Sequence, residues 1–164
     1  MPLCNDHQMM NAEIEEDTSS FHVRHQYWVT TPARILVVDD FAPFREFTST
    51  ILNKQSGFHI VAEAVDGREA IQKARECRPD LVVLDLDLPF ICGIEAAREI
   101  RRCSPDSSIL FLSGNDDPEI AEAALQAGAL GYVLKLHAVD DLLEAANAVL
   151  SGNRFVSRGL NSRR

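Results

Sequence analysis

The chain has 164 residues, 46% hydrophobic and 25% charged, enough for one domain with a real core. Its formal charge of −9 argues against a nucleic-acid backbone as the main partner, because such binders present basic surface. No apolar run nears the roughly 20 residues of a membrane helix, and the polar, acidic N-terminus is no signal peptide.

Four cysteines, Cys4, Cys77, Cys92 and Cys103, show no CxxC spacing and suit a reducing compartment, so a cytoplasmic protein with no membrane contact is expected. Residues 1–33 lack sustained periodicity and read as a flexible or loosely docked extension. Tyr27, Trp28 and Val29 are its candidates for packing. Within it, Cys4 and His7 with His22 and His25 imitate paired metal ligands, but no zinc-finger core pattern separates them. They are read as a solvated segment.

From Arg34 the character changes. ILVV (35–38) is a β-branched run ending in Asp39 and Asp40, and Pro43 opens a helical segment with apolar Phe44, Phe47, Ile51 and Leu52. Gly57 breaks it, HIVAEA (59–64) is a second strand, and Asp66-Gly67 turns into the helix REAIQKAREC. LVVLDL (81–86) is a third strand, bounded by Pro79 and Pro89, and IEAAREIRRC a helix. SILFLSG (108–114), PEIAEAALQAG, GYVLKL (131–136) and AVDDLLEAANAVLSG continue the alternation. Gly128 and Gly152 close the last two helices. Five strands alternating with five helices predict an α/β fold: a doubly wound, open parallel sheet with helices on both faces. The chain is too short for an eight-stranded barrel.

In such sheets, ligands bind beyond the carboxyl ends of the strands, where the strand order reverses. Strand one ends in Asp39-Asp40, strand three in Asp85, strand four in Ser113 and strand five in Lys135. With the order 2-1-3-4-5, three carboxylates meet in one crevice, facing a hydroxyl and an ammonium. Carboxylates gathered in this way repel each other unless a cation compensates, and oxygen-only ligands favour Mg²⁺ or its relative Mn²⁺ over zinc. A metal, a lysine and a carboxylate together suit a phosphoryl group, with Asp85 as a nucleophile able to form an aspartyl phosphate.

The motifs ILVVDD, LVVLDLDLP followed by Gly93, ILFLSG and GYVLK occur in the order and at the spacings of the response-regulator receiver domain. The chain resembles this flavodoxin-like, CheY-like superfamily over residues 34–151, and GYVLKLHAVDDLLEAANAVLSGNRFVS resembles its NarL/FixJ branch. The resemblance implies two-component phosphorelay signalling. Asp85 would be the phosphoacceptor for a sensor histidine kinase or a histidine phosphotransferase. Asp40 and Asp85 would bind Mg²⁺ directly and Asp39 through water, with the backbone carbonyl of Asp87 completing the shell. Lys135 would pair with the phosphoryl group, Ser113 would draw inward onto it, and Tyr132 holds the aromatic switch position. Output would come from the surface of the fourth helix, fifth strand and fifth helix, through protein contact that includes a possible homodimer. Asp87, Gly114 and Asn115 stand where the lifetime of the phosphoryl group would be tuned.

Leu136 follows Lys135 where many receivers have a cis proline, so a trans bond is expected. Residues 152–164, ending SRGLNSRR, read as a short basic tail resembling the start of a linker. With no output domain after it, direct DNA binding is not expected, and Arg158, Arg163 and Arg164 read as a solvated end. Two alternatives remain at this level. One is a haloacid-dehalogenase-like phosphohydrolase, which VVLDLDLPF resembles, although its acidic pair belongs after the lysine and Asp140-Asp141 fall at a helix start. The other is a receiver fold used for binding without phosphorylation. On the favoured reading the chain accepts a phosphoryl group and self-dephosphorylates, but is not an enzyme acting on a separate substrate.

Overall fold

The computed structural model describes residues 31–160. The Cys/His pattern, Tyr27, Trp28, Val29, Arg163 and Arg164 lie outside the described residues. Strands β1 (Ala33–Val38), β2 (Phe58–Ala64), β3 (Leu81–Leu84), β4 (Ser108–Ser113) and β5 (Gly131–Leu134) alternate with helices α1 (Ala42–Leu52), α2 (Gly67–Cys77), α3 (Gly93–Cys103), α4 (Pro118–Gln126) and α5 (Ala138–Leu150). All pairings are parallel, and the first five strands take the order β2-β1-β3-β4-β5.

The sheet nevertheless has six strands where the sequence reading gives five. Phe155 and Val156 form β6, pairing with Gly131 and Tyr132 at the β5 edge. They lie inside the stretch read as a tail. A two-residue strand carries no alternation for sequence reasoning to detect. Gly152, at φ +78°, supplies the left-handed turn that ends α5 and sends the chain back along β5.

The strands are continuous apolar runs because both faces are covered. Leu36, Val38, Val82, Leu84, Ile109, Phe111 and Tyr132 share one buried cluster with Ala70 and Ala74 of α2, Ala96, Ala97 and Ile100 of α3, and Ala121 and Ala124 of α4. Ile35, Val37, Leu81, Val83, Leu110, Leu112 and Val133 share the other with Ile51 and Leu52 of α1 and Leu142, Ala145, Ala146 and Val149 of α5. Successive residues therefore alternate between an α2–α3–α4 side and an α1–α5 side. Small alanines face the sheet from α2, α3 and α4, letting these helices approach it closely.

Helix α2 is capped by Asp66, whose carboxylate accepts from the Glu69 amide at 2.8 Å, while Glu69 reaches back to the Val65 amide at 2.8 Å. The loop between β3 and α3 is held down by two close approaches. A Cβ on Gly67 would fall 2.3 Å from the carbonyl oxygen of Ile91. One on Gly93 would fall 2.2 Å from the carbonyl oxygen of Asp85 and 2.7 Å from Cα of Leu86. The Gly93 amide also donates to the Leu86 carbonyl at 2.8 Å. Gly93→Ala must therefore displace backbone at the end of β3, and should destabilise by about 1–3 kcal/mol, as overpacked sites do. Urea unfolding should show a lower midpoint at unchanged slope.

Candidate functional site

The strand parity extends one residue past β1, β3 and β5, to Asp39, Asp85 and Lys135, and puts all three on the α1–α5 side. The sheet fixes their backbones. The Asp39 amide donates to the Ala64 carbonyl at 3.1 Å, and the Asp85 amide to the Val38 carbonyl at 3.0 Å. Asp39 and Asp85 are buried, at 3% and 4% exposure. Lys135 Nζ bridges them, donating to Asp39 Oδ2 at 2.7 Å and Asp85 Oδ2 at 2.9 Å. The Lys135–Leu136 peptide is trans, as expected.

Asp40 is exposed at the rim, yet one carboxylate oxygen from each of Asp39, Asp40 and Asp85 lies within 4.8 Å of the others. Three carboxylates face one ammonium, so the crevice keeps a net negative charge. An all-oxygen donor set of this kind fits a hard divalent cation of the Mg²⁺ class.

Burial pushes the Asp85 carboxyl up from the ordinary aspartate range, and the Asp39 charge adds to this. The Lys135 contacts and the Asp87 amide, 3.4 Å from Asp85 Oδ1, oppose it without cancelling it. For Lys135 burial is the largest influence and lowers the pKa, but the two carboxylates together outweigh it and hold the ammonium above its ordinary value.

Ser113 and Tyr132 fall on the other parity, facing α2–α3–α4. Ser113 is fully buried, and its Oγ accepts from the Asn115 amide at 3.1 Å. Tyr132 points inward beside Phe111 and donates its hydroxyl to the Asn115 carbonyl at 2.8 Å. Burial, with the charges of Asp87, Asp85 and Asp116, raises the Tyr132 pKa and keeps it a donor, although the neighbouring Ser113 hydroxyl pulls the other way. Asp87 and Gly114 are exposed, with no Cβ-distance neighbour against Gly114. Asp39, Asp40, Asp85 and Lys135 thus come together directly, whereas Ser113, Tyr132 and Asn115 form an adjoining hydrogen-bonded group.

Sequence reasoning missed the supports of the β1–α1 turn. The Lys135 ammonium lies 4.6 Å from the centroid of the Phe44 ring, a cation–π contact. Arg45 donates to the Asp39 carbonyl at 2.8 Å and to Glu63 at 3.1 Å, and Ser49 also donates to Glu63, at 2.9 Å. Phe44 reads as ordinary helix core in sequence, and nothing in the spacing marks Arg45. Phe90 was also unmarked. It is 75% exposed at φ +69°, a left-handed conformation rare for an aromatic, with Arg68 5.2 Å from its ring centroid.

Comparison with known proteins gives the class. The response regulator receiver domain family matches residues 35–147, and the chain belongs to that family. It is a receiver-domain protein of two-component signal transduction. It is 39% identical over 118 residues to the chemotaxis protein CheY of Bacillus subtilis, spanning 72% of this chain and 98% of that one. It is also 39% identical over 130 residues to the oxygen regulatory protein NreC of Staphylococcus epidermidis, spanning 79% of this chain and 60% of NreC. The crystal structure of a LuxR-family two-component response regulator from Aurantimonas superposes with a TM-score of 0.76 at 40% identity, covering 79% of this chain and 92% of that one. The matched region spans between 52% and 60% of the length of several curated relatives, NreC among them. No helix among the described residues is long and apolar enough to cross a membrane.

The charge imbalance sets opposite outcomes for two substitutions. Asp85→Asn removes a buried carboxylate and leaves Lys135 matched with Asp39, so in EDTA at neutral pH it should stabilise by on the order of 1 kcal/mol. Because the folded pKa of Asp85 is raised, its favourable linkage is present below the ordinary value of 3.8 and is lost as pH rises through the folded value. The advantage of the variant should therefore grow with pH across the carboxylate range. Lys135→Met, which strands two buried carboxylates, should destabilise by up to about 3 kcal/mol, the loss being moderated by 22% exposure of the lysine side chain. Urea unfolding at several pH values checks both.

Proposed function

We propose that this chain is a phosphorylated receiver in which Asp85 is the acceptor. The observation that carries the reading is the Asp39–Lys135–Asp85 bridge with Asp40 at its rim, in a chain of the receiver family. Asp85 sits at a strand end with its carboxylate turned into the crevice, so an Asp85 oxygen attacks the phosphorus of a phosphohistidine. The P–N bond breaks, and the departing imidazole nitrogen takes up a proton. Asp40, Asp85 and the Asp87 carbonyl, with Asp39 through water, would hold Mg²⁺, which when bound neutralises charge on the phosphoryl oxygens. Lys135 moves from bridging two carboxylates to pairing Asp85 and the incoming oxygens, since its charge is already held at the acceptor.

Ser113 and Tyr132 supply the response. As Ser113 draws inward to donate to a phosphoryl oxygen, it carries with it the Asn115 amide that its oxygen accepts from, and the loop whose carbonyl holds the Tyr132 hydroxyl is rearranged. Asp87 stands at the exposed lip, where its negative charge repels an approaching hydroxide or orders attacking water, and so tunes self-dephosphorylation together with Gly114 and Asn115. The partner is a sensor histidine kinase or histidine phosphotransferase in the cytoplasm, and the output is protein contact.

Intact mass after incubation with acetyl phosphate is the direct test. One phosphoryl adduct, dependent on Mg²⁺ and absent in Asp85→Asn, is expected. An unmodified protein that releases no phosphate would reduce the chain to a binding module. Continuous phosphate release from a generic phosphomonoester would instead point to a phosphohydrolase. A longer adduct lifetime in Asp85-phosphorylated parent than in Asp87→Asn would assign the slowing role to the Asp87 charge.

A further inference from the structure

The Lys135 ammonium has three N–H donors, and the carboxylates of Asp39 and Asp85 take two of them, at 2.7 and 2.9 Å. Its further contact is aromatic: the Phe44 ring, with its centroid 4.6 Å from Nζ. The fold holds this ring in place from several directions. The Phe44 amide donates to the Phe41 carbonyl at 3.1 Å, and the next residue, Arg45, ties the turn to Asp39 and Glu63. Phe47, the next position along the same helix face, sets its ring 5.4 Å from that of Phe44 at 47°. Phe44 also packs against the core cluster on the α1–α5 side. A ring serving that core alone could be exchanged for leucine. A ring facing an ammonium could not, because only an aromatic face carries the negative potential that attracts a cation.

We infer that Phe44 is a positioning residue for phosphoryl acceptance, whose ring face holds the Lys135 ammonium while the lysine changes partners. The inference rests on the phosphoacceptor reading above. On that reading Lys135 starts bonded to two carboxylates and ends paired with Asp85 and the phosphoryl oxygens. Its bond to Asp39 must loosen as the new one forms. A carbonyl or carboxylate in the place of the ring would fix one N–H in a set direction and compete with the phosphoryl oxygen. A ring face attracts the charge without that direction, so the ammonium can swing between oxygens and still stay in the crevice. The ring also keeps water from its side of the ammonium, which leaves the lysine side chain only 22% exposed. Charges interact more strongly where water is kept away. Without the ring, the ammonium is better hydrated and less confined, and it meets the developing phosphoryl charge less often in the right place. No bond to Phe44 forms or breaks; it acts through Lys135 alone.

Rates of labelling of the full chain by acetyl phosphate at saturating Mg²⁺, followed by intact mass, test this. Phe44→Leu and Phe44→Met keep an apolar side chain without the face, and each should take the adduct about tenfold more slowly than the parent. Two such variants guard against one of them failing to fold, which urea unfolding checks. Phe44→Tyr keeps the face and should label close to the parental rate. A ring-trifluorinated phenylalanine in place of Phe44 keeps the shape but drains negative potential from the face, and should slow labelling about fivefold. A purely structural role would leave that last rate unchanged. Parental rates in the leucine and methionine variants, a tyrosine variant as slow as they are, or a trifluorinated ring as fast as the parent would each overturn the inference and leave the receiver reading standing. Absence of any adduct in the parent would overturn both.

Discussion

Lys135 holding Asp39 and Asp85 together is the contact on which the rest of the crevice depends. Two carboxylates at 3% and 4% exposure would repel each other across the β1–β3 junction, and their burial is tolerable only because one ammonium bonds both. The bridge spans three strands in the chain order first, third and fifth, so it reports on the register of the whole sheet. It is also an incomplete neutralisation. With Asp40 at the rim, the site retains negative charge that a hard divalent cation would balance. A single acidic pair with a lysine would have been a closed structural salt bridge; the third carboxylate leaves it open.

The division of labour across the sheet follows from the two-residue repeat of a strand. Asp39, Asp85 and Lys135 emerge toward α1 and α5, and Ser113 and Tyr132 toward α2, α3 and α4. Charge is therefore gathered on one side, and the hydrogen-bonded group that would sense its change lies on the other. The loops at the carboxyl ends of the strands connect them. Helix α1 contributes more than cover: the Phe44 ring lies against the ammonium, and Arg45 holds the Asp39 carbonyl. These contacts make the lysine's position a property of the β1–α1 turn as much as of β5.

Most of the fold and the charged centre were legible in sequence, for a physical reason. Parallel strands covered on both faces must be continuous apolar runs, so ILVV, LVVL and ILFL announce themselves, and whatever polar residue ends each run is delivered to the same edge. That is how Asp39, Asp85 and Lys135 could be brought together before any coordinates. What sequence did not show depends on contacts without a period. Phe155 and Val156 make too short a strand to alternate, Ser157 looks like any linker serine, and Phe44 carries the same apolar signature whether it faces core or cation. Phe90 gives no sign of its left-handed backbone, since that conformation is imposed by the turn between Pro89 and Gly93. The resemblance to receivers named the roles, but the pairing of Phe155 and Val156 with β5 belongs to packing that motifs do not encode.

The placement of β6 has a consequence for solubility. An outermost strand exposes a row of amides and carbonyls that a neighbouring molecule can extend into a shared sheet. Phe155 and Val156 occupy that row beside Gly131 and Tyr132. Beyond them, Ser157 takes the Leu134 amide with a side chain, which a foreign strand's backbone cannot easily replace. The edge presented beyond β5 is therefore only two residues long, and it offers a neighbouring strand a narrow place to pair.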